Sequence, residues 1–95
     1  MAKTDTSSTL EALRRCLSAS LPQWPAAVDV HLDLFQAGVI DSLSLMEAIV
    51  AIEKTFTTEF EPEDLTVGNL STLSRMAATV ERRVRARSGG RDGSA

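Results

Sequence analysis

Residues 33–47 read Asp33-Leu-Phe-Gln-Ala-Gly38-Val-Ile-Asp41-Ser42-Leu43-Ser-Leu-Met46-Glu47, and the fold reading turns on them. No sustained period runs up to Gly38. Beyond Asp41, two interleaved apolar series begin, Leu43/Met46/Val50 and Leu45/Ile49/Ile52/Phe56. Both have helical spacing, so a helix is expected from about Ser42 to Phe56. Asp41 is a good N-cap, because a short acid can accept from a free first-turn N–H. The stripe is wider than one packing partner needs. Leu45, Ile49, Ile52 and Phe56 are expected to face the core, with Leu43 and Met46 at its margin. Ser44, Glu47, Ala51 and Lys54 are placed on the opposite, solvated arc, and the β-branched Thr57 and Thr58 weaken the helix end.

Upstream, Leu10, Leu13, Leu17 and Leu21 recur at helical spacing and predict a helix from Ser8 or Thr9. Ser7 or Ser8 is expected to cap it, with Glu11 in its first turn and Pro22 and Pro25 ending it. Residues 22–40 form a long loop, pinned to the core by Trp24, Val28, Leu32, Leu34 and Phe35. Downstream, Glu61-Pro62-Glu63-Asp64-Leu65 predicts one helical turn, with Pro at the first position and acids at the positive end. Gly68 and Asn69 are expected to break it. A last helix begins near Asn69 or Ser71, with Leu70, Leu73, Ala77, Val80 and Val84 as its buried stripe. The fold class is therefore all-α: a small four-helix bundle of three main helices and one short one, with a long loop between the first two. A disordered N-terminus at 1–8, a folded domain at 9–87 and a flexible tail at 88–95 complete the division.

Composition narrows the function. Ninety-five residues suffice for one small domain, too small for a deep enzyme pocket. Three Phe, one Trp and no Tyr argue against a stacking platform for single-stranded nucleic acid. No apolar run spans a bilayer, and no signal-like apolar segment opens the chain, so a cytoplasmic protein without membrane contact is expected. Cys16 is alone, which excludes an internal disulfide or a cysteine-based metal site. Residues 1–80 carry five basic and eleven acidic side chains, a net −6; residues 81–95 carry five Arg and two acids, a net +3. An acidic body repels nucleic acid and attracts basic protein surfaces. Arg82, Arg83, Arg85, Arg87 and Arg91 read as a solvated helix end that complements the helix dipole.

Ser42 stands where the loop meets the helix. Unpaired N–H groups and the positive helix end favour an anion there, so the position suits a serine that carries a phosphodiester. Gly38-Val-Ile-Asp41-Ser42-Leu43 resembles the phosphopantetheine attachment site of acyl and peptidyl carrier proteins, whose core is Gly-x-x-Asp-Ser-Leu. The likeness extends through Met46, Glu47 and Glu53 to Phe60, Leu65, Leu70 and Val80, covering most of residues 30–82. It implies a 4′-phosphopantetheine arm, the cofactor, attached to Ser42 by a phosphopantetheinyl transferase that reads Asp41 and Leu43. It implies cargo held as a thioester, supplied by a loading ligase or acyltransferase and passed to downstream biosynthetic enzymes. The carrier itself, expected to be a monomer, supplies no acid, base or nucleophile and is not an enzyme. Fatty-acid carriers usually place an acid two residues after the serine; here that residue is Ser44, and Lys54 replaces another acid. In this the chain is similar to peptidyl and D-alanyl carriers, and a polyketide or nonribosomal peptide type of pathway is expected.

Plainer readings compete at each position. Ser42 can be an unmodified first-turn residue, and Ser44 is a rival attachment point that lacks a preceding Asp. Leu43, Met46 and Glu47 are expected to dock partner enzymes, although an apolar stripe is often core and an acid often only solvated. Cys16 lies off its helix's stripe as an idle, half-exposed thiol. His31 has no partners for catalysis and reads as a surface histidine. The alternative function is a non-catalytic helical interaction module without a covalent arm. An enzyme ranks third, since no Gly-rich phosphate loop, His/Glu zinc pair or Cys–His constellation is present.

Overall fold

The computed structural model describes residues 6–25 and 27–94, with side chains described within residues 7–86. Among these residues there are helices and no strands: α1 (Thr6–Ser20), α2 (Ser42–Phe56), a short α3 (Val67–Leu70) and α4 (Leu73–Ser94). A 3₁₀ turn at Pro62–Asp64 precedes α3. α1 packs on both α2 and α4, and α3 packs against α4. This is the expected all-α bundle with three main helices, but the short helix expected at 61–65 is the 3₁₀ turn, and α3 is a further short helix that the sequence reading did not place.

The core follows the apolar periods. Leu13, Leu17 and Leu21 of α1 are buried, with Leu10 half-buried. From α4 and its approach come Leu70, Leu73, Met76, Ala77 and Val80. Each fully buried leucine stabilises the fold by roughly 2 kcal/mol. Val84 belongs to the expected stripe but is 40% exposed.

α1 begins at Thr6, ahead of the expected Ser8 or Thr9, so Ser7 and Ser8 lie inside its first turn rather than ahead of it. Gly68 and Asn69 do not break the chain after the 3₁₀ turn. Thr66 accepts from the Asn69 N–H through its side chain and caps α3, which contains both residues. The Asn69 amide donates to the carbonyls of Glu63 and Asp64, tying the two turns together. α4 is helical to Ser94, whereas the composition places a tail from Ser88. Extending an existing helix adds a hydrogen bond for each residue fixed, so even a Gly/Ser-rich end can continue it. Residues 1–5, within the expected disordered N-terminus, lie outside the described residues.

The long loop, described except at Ala26, is held by its backbone as well as by its side chains. Leu34 is fully buried; its N–H donates to the Ser71 carbonyl, and the Ser74 N–H donates to the Val30 carbonyl. Val28 is buried too, Trp24 and Phe35 are half-buried, and Arg14 of α1 donates to the Val28 carbonyl at 2.7 Å. Leu32, expected to pin the loop, is 38% exposed. The Asp33 carboxylate accepts from the N–H groups of Phe35 and Gln36 and closes a turn that ends at Gly38. Gly38 has φ +77°, a left-handed conformation that side chains disfavour by about 1 kcal/mol. From that turn Val39 and Ile40 drop into the core, and Asp41 emerges at the start of α2.

Candidate functional site

Asp41 is extended, with φ −120° and ψ −171°, and caps α2 as expected. Its Oδ1 accepts from the Ser44 N–H at 2.9 Å and from the Ser44 hydroxyl at 2.6 Å. The Asp41 N–H donates in return to Ser44 Oγ at 3.1 Å, completing a reciprocal capping box. Hydrogen bonds from the Ser44 side chain and backbone, in that order, hold the Asp41 carboxyl below the ordinary aspartate range. Asp41 therefore stays anionic at the positive end of α2.

Ser42 is the first residue of α2 and is exposed, with no hydrogen bond to its hydroxyl among the described residues. Ser44, two residues on, is buried and committed to the box. This corrects its expected place on the solvated arc. The inward row of α2 is Ser44, Ala48 and Ile52. Large apolar residues alone suggested a different centre for that face, whereas small side chains bury readily where helices come close. The series Leu45/Ile49/Phe56 flanks the row, half-buried. The other series points outward: Leu43 is 71%, Met46 65% and Val50 51% exposed. Glu47 is exposed beside them. The structure thus gathers Asp41, Ser42, Leu43, Met46 and Glu47 on the accessible first two turns of α2. Val50, which extends the same apolar line, was legible as part of its series but not as a surface residue.

The remaining candidates fall elsewhere. Cys16 is half-buried against the core and accepts from the Thr55 hydroxyl at 3.3 Å, so it is engaged rather than idle. His31 is exposed in the loop, its N–H on the Asp29 carboxylate. Glu53 is not a free surface acid; it accepts from the Phe60 N–H and fixes the turn after α2. Thr57 ends that helix in a left-handed conformation, φ 53°. Arg82 and Arg83 are not merely solvated. Asp64, buried at the end of the 3₁₀ turn, has Arg83 Nε at 3.0 Å and Arg82 Nη2 at 3.5 Å. Arg83 Nε is not aligned for a hydrogen bond, so that contact is an ion pair only. The Glu61 N–H donates to the same carboxylate at 2.8 Å. An open groove of about 810 Å³ is lined by residues including Val50, Lys54, Glu61 and Arg83. Its nearest α2 residue, Val50, is about 12 Å along the helix axis from Ser42, so it is not the serine site. No group of three or more metal-ligating side chains occurs among the described residues. Nor is any helix among them long and apolar enough to cross a membrane.

The residues at the head of α2 fit a serine-linked phosphodiester. An unencumbered hydroxyl projects at a helix N-terminus whose positive end favours an anion, and the neighbouring acid's Oδ1 is turned into its own cap. Comparison with known proteins places the chain in a family. The family model described as phosphopantetheine attachment site matches residues 11–80, which is most of the chain. The search of curated proteins yields no match. Carriers of this family are modified by phosphopantetheinyl transferases, serve biosynthetic enzymes and are not themselves catalytic. With the family model spanning the last two thirds of α1, the long loop, α2, α3 and the start of α4, the chain belongs to the acyl and peptidyl carrier proteins, which bear 4′-phosphopantetheine covalently.

Proposed function

We propose that Ser42 carries the 4′-phosphopantetheine arm and that the chain holds an acyl or aminoacyl group on it as a thioester for partner enzymes in the cytoplasm. The observation that supports this most is the contrast between two neighbouring serines. Ser42 is exposed and unbonded after the Asp41 cap, while Ser44 is buried and hydrogen-bonded. In the attachment, the Ser42 oxygen bonds to the phosphorus of coenzyme A that bears pantetheine. The pyrophosphate bond breaks, the adenosine bisphosphate leaves, and the serine proton passes to a base of the transferase. Once attached, the arm supplies a terminal thiol for thioester formation. This chain's residues supply the hydroxyl, the anionic Asp41 and an apolar edge at Leu43 and Met46.

Enzymes that receive the arm have to approach the start of α2, since Leu43, Met46 and Glu47 lie within about one turn of Ser42. We assign these three to partner docking, including docking of a loading ligase or acyltransferase. A polyketide or nonribosomal peptide type of pathway is favoured over fatty-acid synthesis. Lys54 is exposed, Glu53 is committed to the Phe60 N–H, and Ser44 stands in place of an acid, so Glu47 is the one exposed acid within α2. The test is intact mass after incubation with a broad-specificity transferase and coenzyme A. A single arm on the wild-type chain and none on Ser42→Ala supports the reading; a wild-type chain that takes no arm contradicts it and favours an interaction module.

A further inference from the structure

Ser44 is the polar group nearest the proposed attachment point that the carrier chemistry does not itself employ. It is 6% exposed, so a docking enzyme does not touch it, yet it makes three hydrogen bonds with Asp41. Two of them converge on Oδ1, through the Ser44 hydroxyl and the Ser44 N–H. The Asp41 residue is itself exposed, with lesser support to its carboxylate from first-turn backbone N–H groups, Leu43 among them. An exposed aspartate otherwise samples several rotamers, and a partner that binds one of them bears the ordering cost. Here the orientation is set from the core, because Ser44 begins the inward row that continues with Ala48 and Ile52. The same bonds keep the carboxyl charged.

We infer that Ser44 is a positioning residue for arm attachment: by holding Oδ1 it fixes the exposed Asp41 carboxylate in one orientation, in which a cationic group of the transferase binds it. The inference rests on the assignment of Ser42. It also gives the serine at this position a role of its own, where an acid would place a second negative charge beside Asp41.

The test measures kcat and KM of a broad-specificity transferase toward the full chain at saturating coenzyme A. Ser44→Ala raises KM about five-fold, roughly 1 kcal/mol, with kcat little changed and the circular dichroism spectrum retained. Ser44→Thr, which keeps the hydroxyl, restores KM. Asp41→Asn raises KM by itself, and adding Ser44→Ala to it has little further effect, since the two act as one unit. By NMR titration, the Asp41 carboxyl of Ser44→Ala moves up toward the ordinary range. An unchanged KM in folded Ser44→Ala overturns the inference, as does an undiminished effect in the Asp41→Asn background. Should Ser44→Ala not fold, Ser44→Val against Ser44→Thr compares near-isosteric side chains, and equal KM values overturn it. Arm attachment persisting in Ser42→Ala defeats the underlying site assignment instead. Loss in Ser42→Ala with a silent Ser44→Ala defeats only the positioning role.

Discussion

At the scale of single residues, Asp41 joins fold and function, because one carboxylate both caps α2 and borders Ser42. Its lowered pKa has a direct consequence for stability. A carboxyl whose folded pKa is depressed contributes stability above its unfolded value of about 3.9 and loses it as pH falls through the folded value. Asp41→Asn keeps a capping side chain but not the charge. The thermal midpoint of the wild type is therefore expected to exceed that of Asp41→Asn at neutral pH, with the gap closing as the pH falls below about 3.9. A gap that stays constant across that range contradicts the charge-assisted cap. Asp41 as N-cap was legible in the sequence, since a short acid ahead of an apolar period has one obvious use. The second half of the box was not. Ser44 looks like any helix serine until its burial and its bonds are seen, although Asp-x-x-Ser at a helix start is a variant of the capping-box pattern.

Among the elements, α2 was readable to its ends and α3 was not. Ser42–Phe56 has a cap, a clear period and a terminating threonine pair. Val67–Leu70 is four residues long and has no period to read; it exists because Thr66 caps it and the Asn69 amide bridges back to the preceding turn. The exposed face of α2 leads to a ranking of docking residues. Glu47 in an exposed pair contributes no more than about 1 kcal/mol, and less at high salt. Truncating an apolar anchor at a desolvated interface costs more than about 2 kcal/mol. Leu43→Ala and Met46→Ala should therefore slow cargo loading on arm-bearing protein more than Glu47→Ala does, with the thermal midpoint little changed because both residues are exposed. A Glu47→Ala change that is the most damaging, or three silent changes, contradicts this ranking. The turn before α3 carries a different expectation. Asp64→Ala removes the acceptor of the Glu61 N–H and leaves Arg83 without its nearest carboxylate. Both arginines retain contact with water and recover part of the loss, so a destabilisation of about 2 kcal/mol is expected by chemical denaturation. A change within about 0.5 kcal/mol would show the cluster to be incidental.

Across the whole molecule, charge and function divide along the chain. The acidic residues 1–80 hold the proposed attachment site and the family match, and of the basic residues 81–95, those up to Ser94 form the far part of α4. Composition made that division legible, but it did not show that Arg82 and Arg83 turn back to Asp64, because a contact between residues 64 and 83 depends on how α3 directs the chain into α4. Residues 88–95 contain Gly, Ser, Arg, Asp and Ala and no large apolar side chain. Ending the chain after Arg87 is expected to leave the thermal midpoint nearly unchanged, and a large drop would mean that the segment packs. Residence of the proposed arm on Ser42 is tested by fragmentation mass spectrometry of the modified protein. A peptide covering residues 33–54 contains both Ser42 and Ser44, and fragments that separate them locate the arm. All of it is expected on Ser42, with none on Ser44 and none anywhere in Ser42→Ala. An arm found on Ser44, or on any residue of Ser42→Ala, would contradict it.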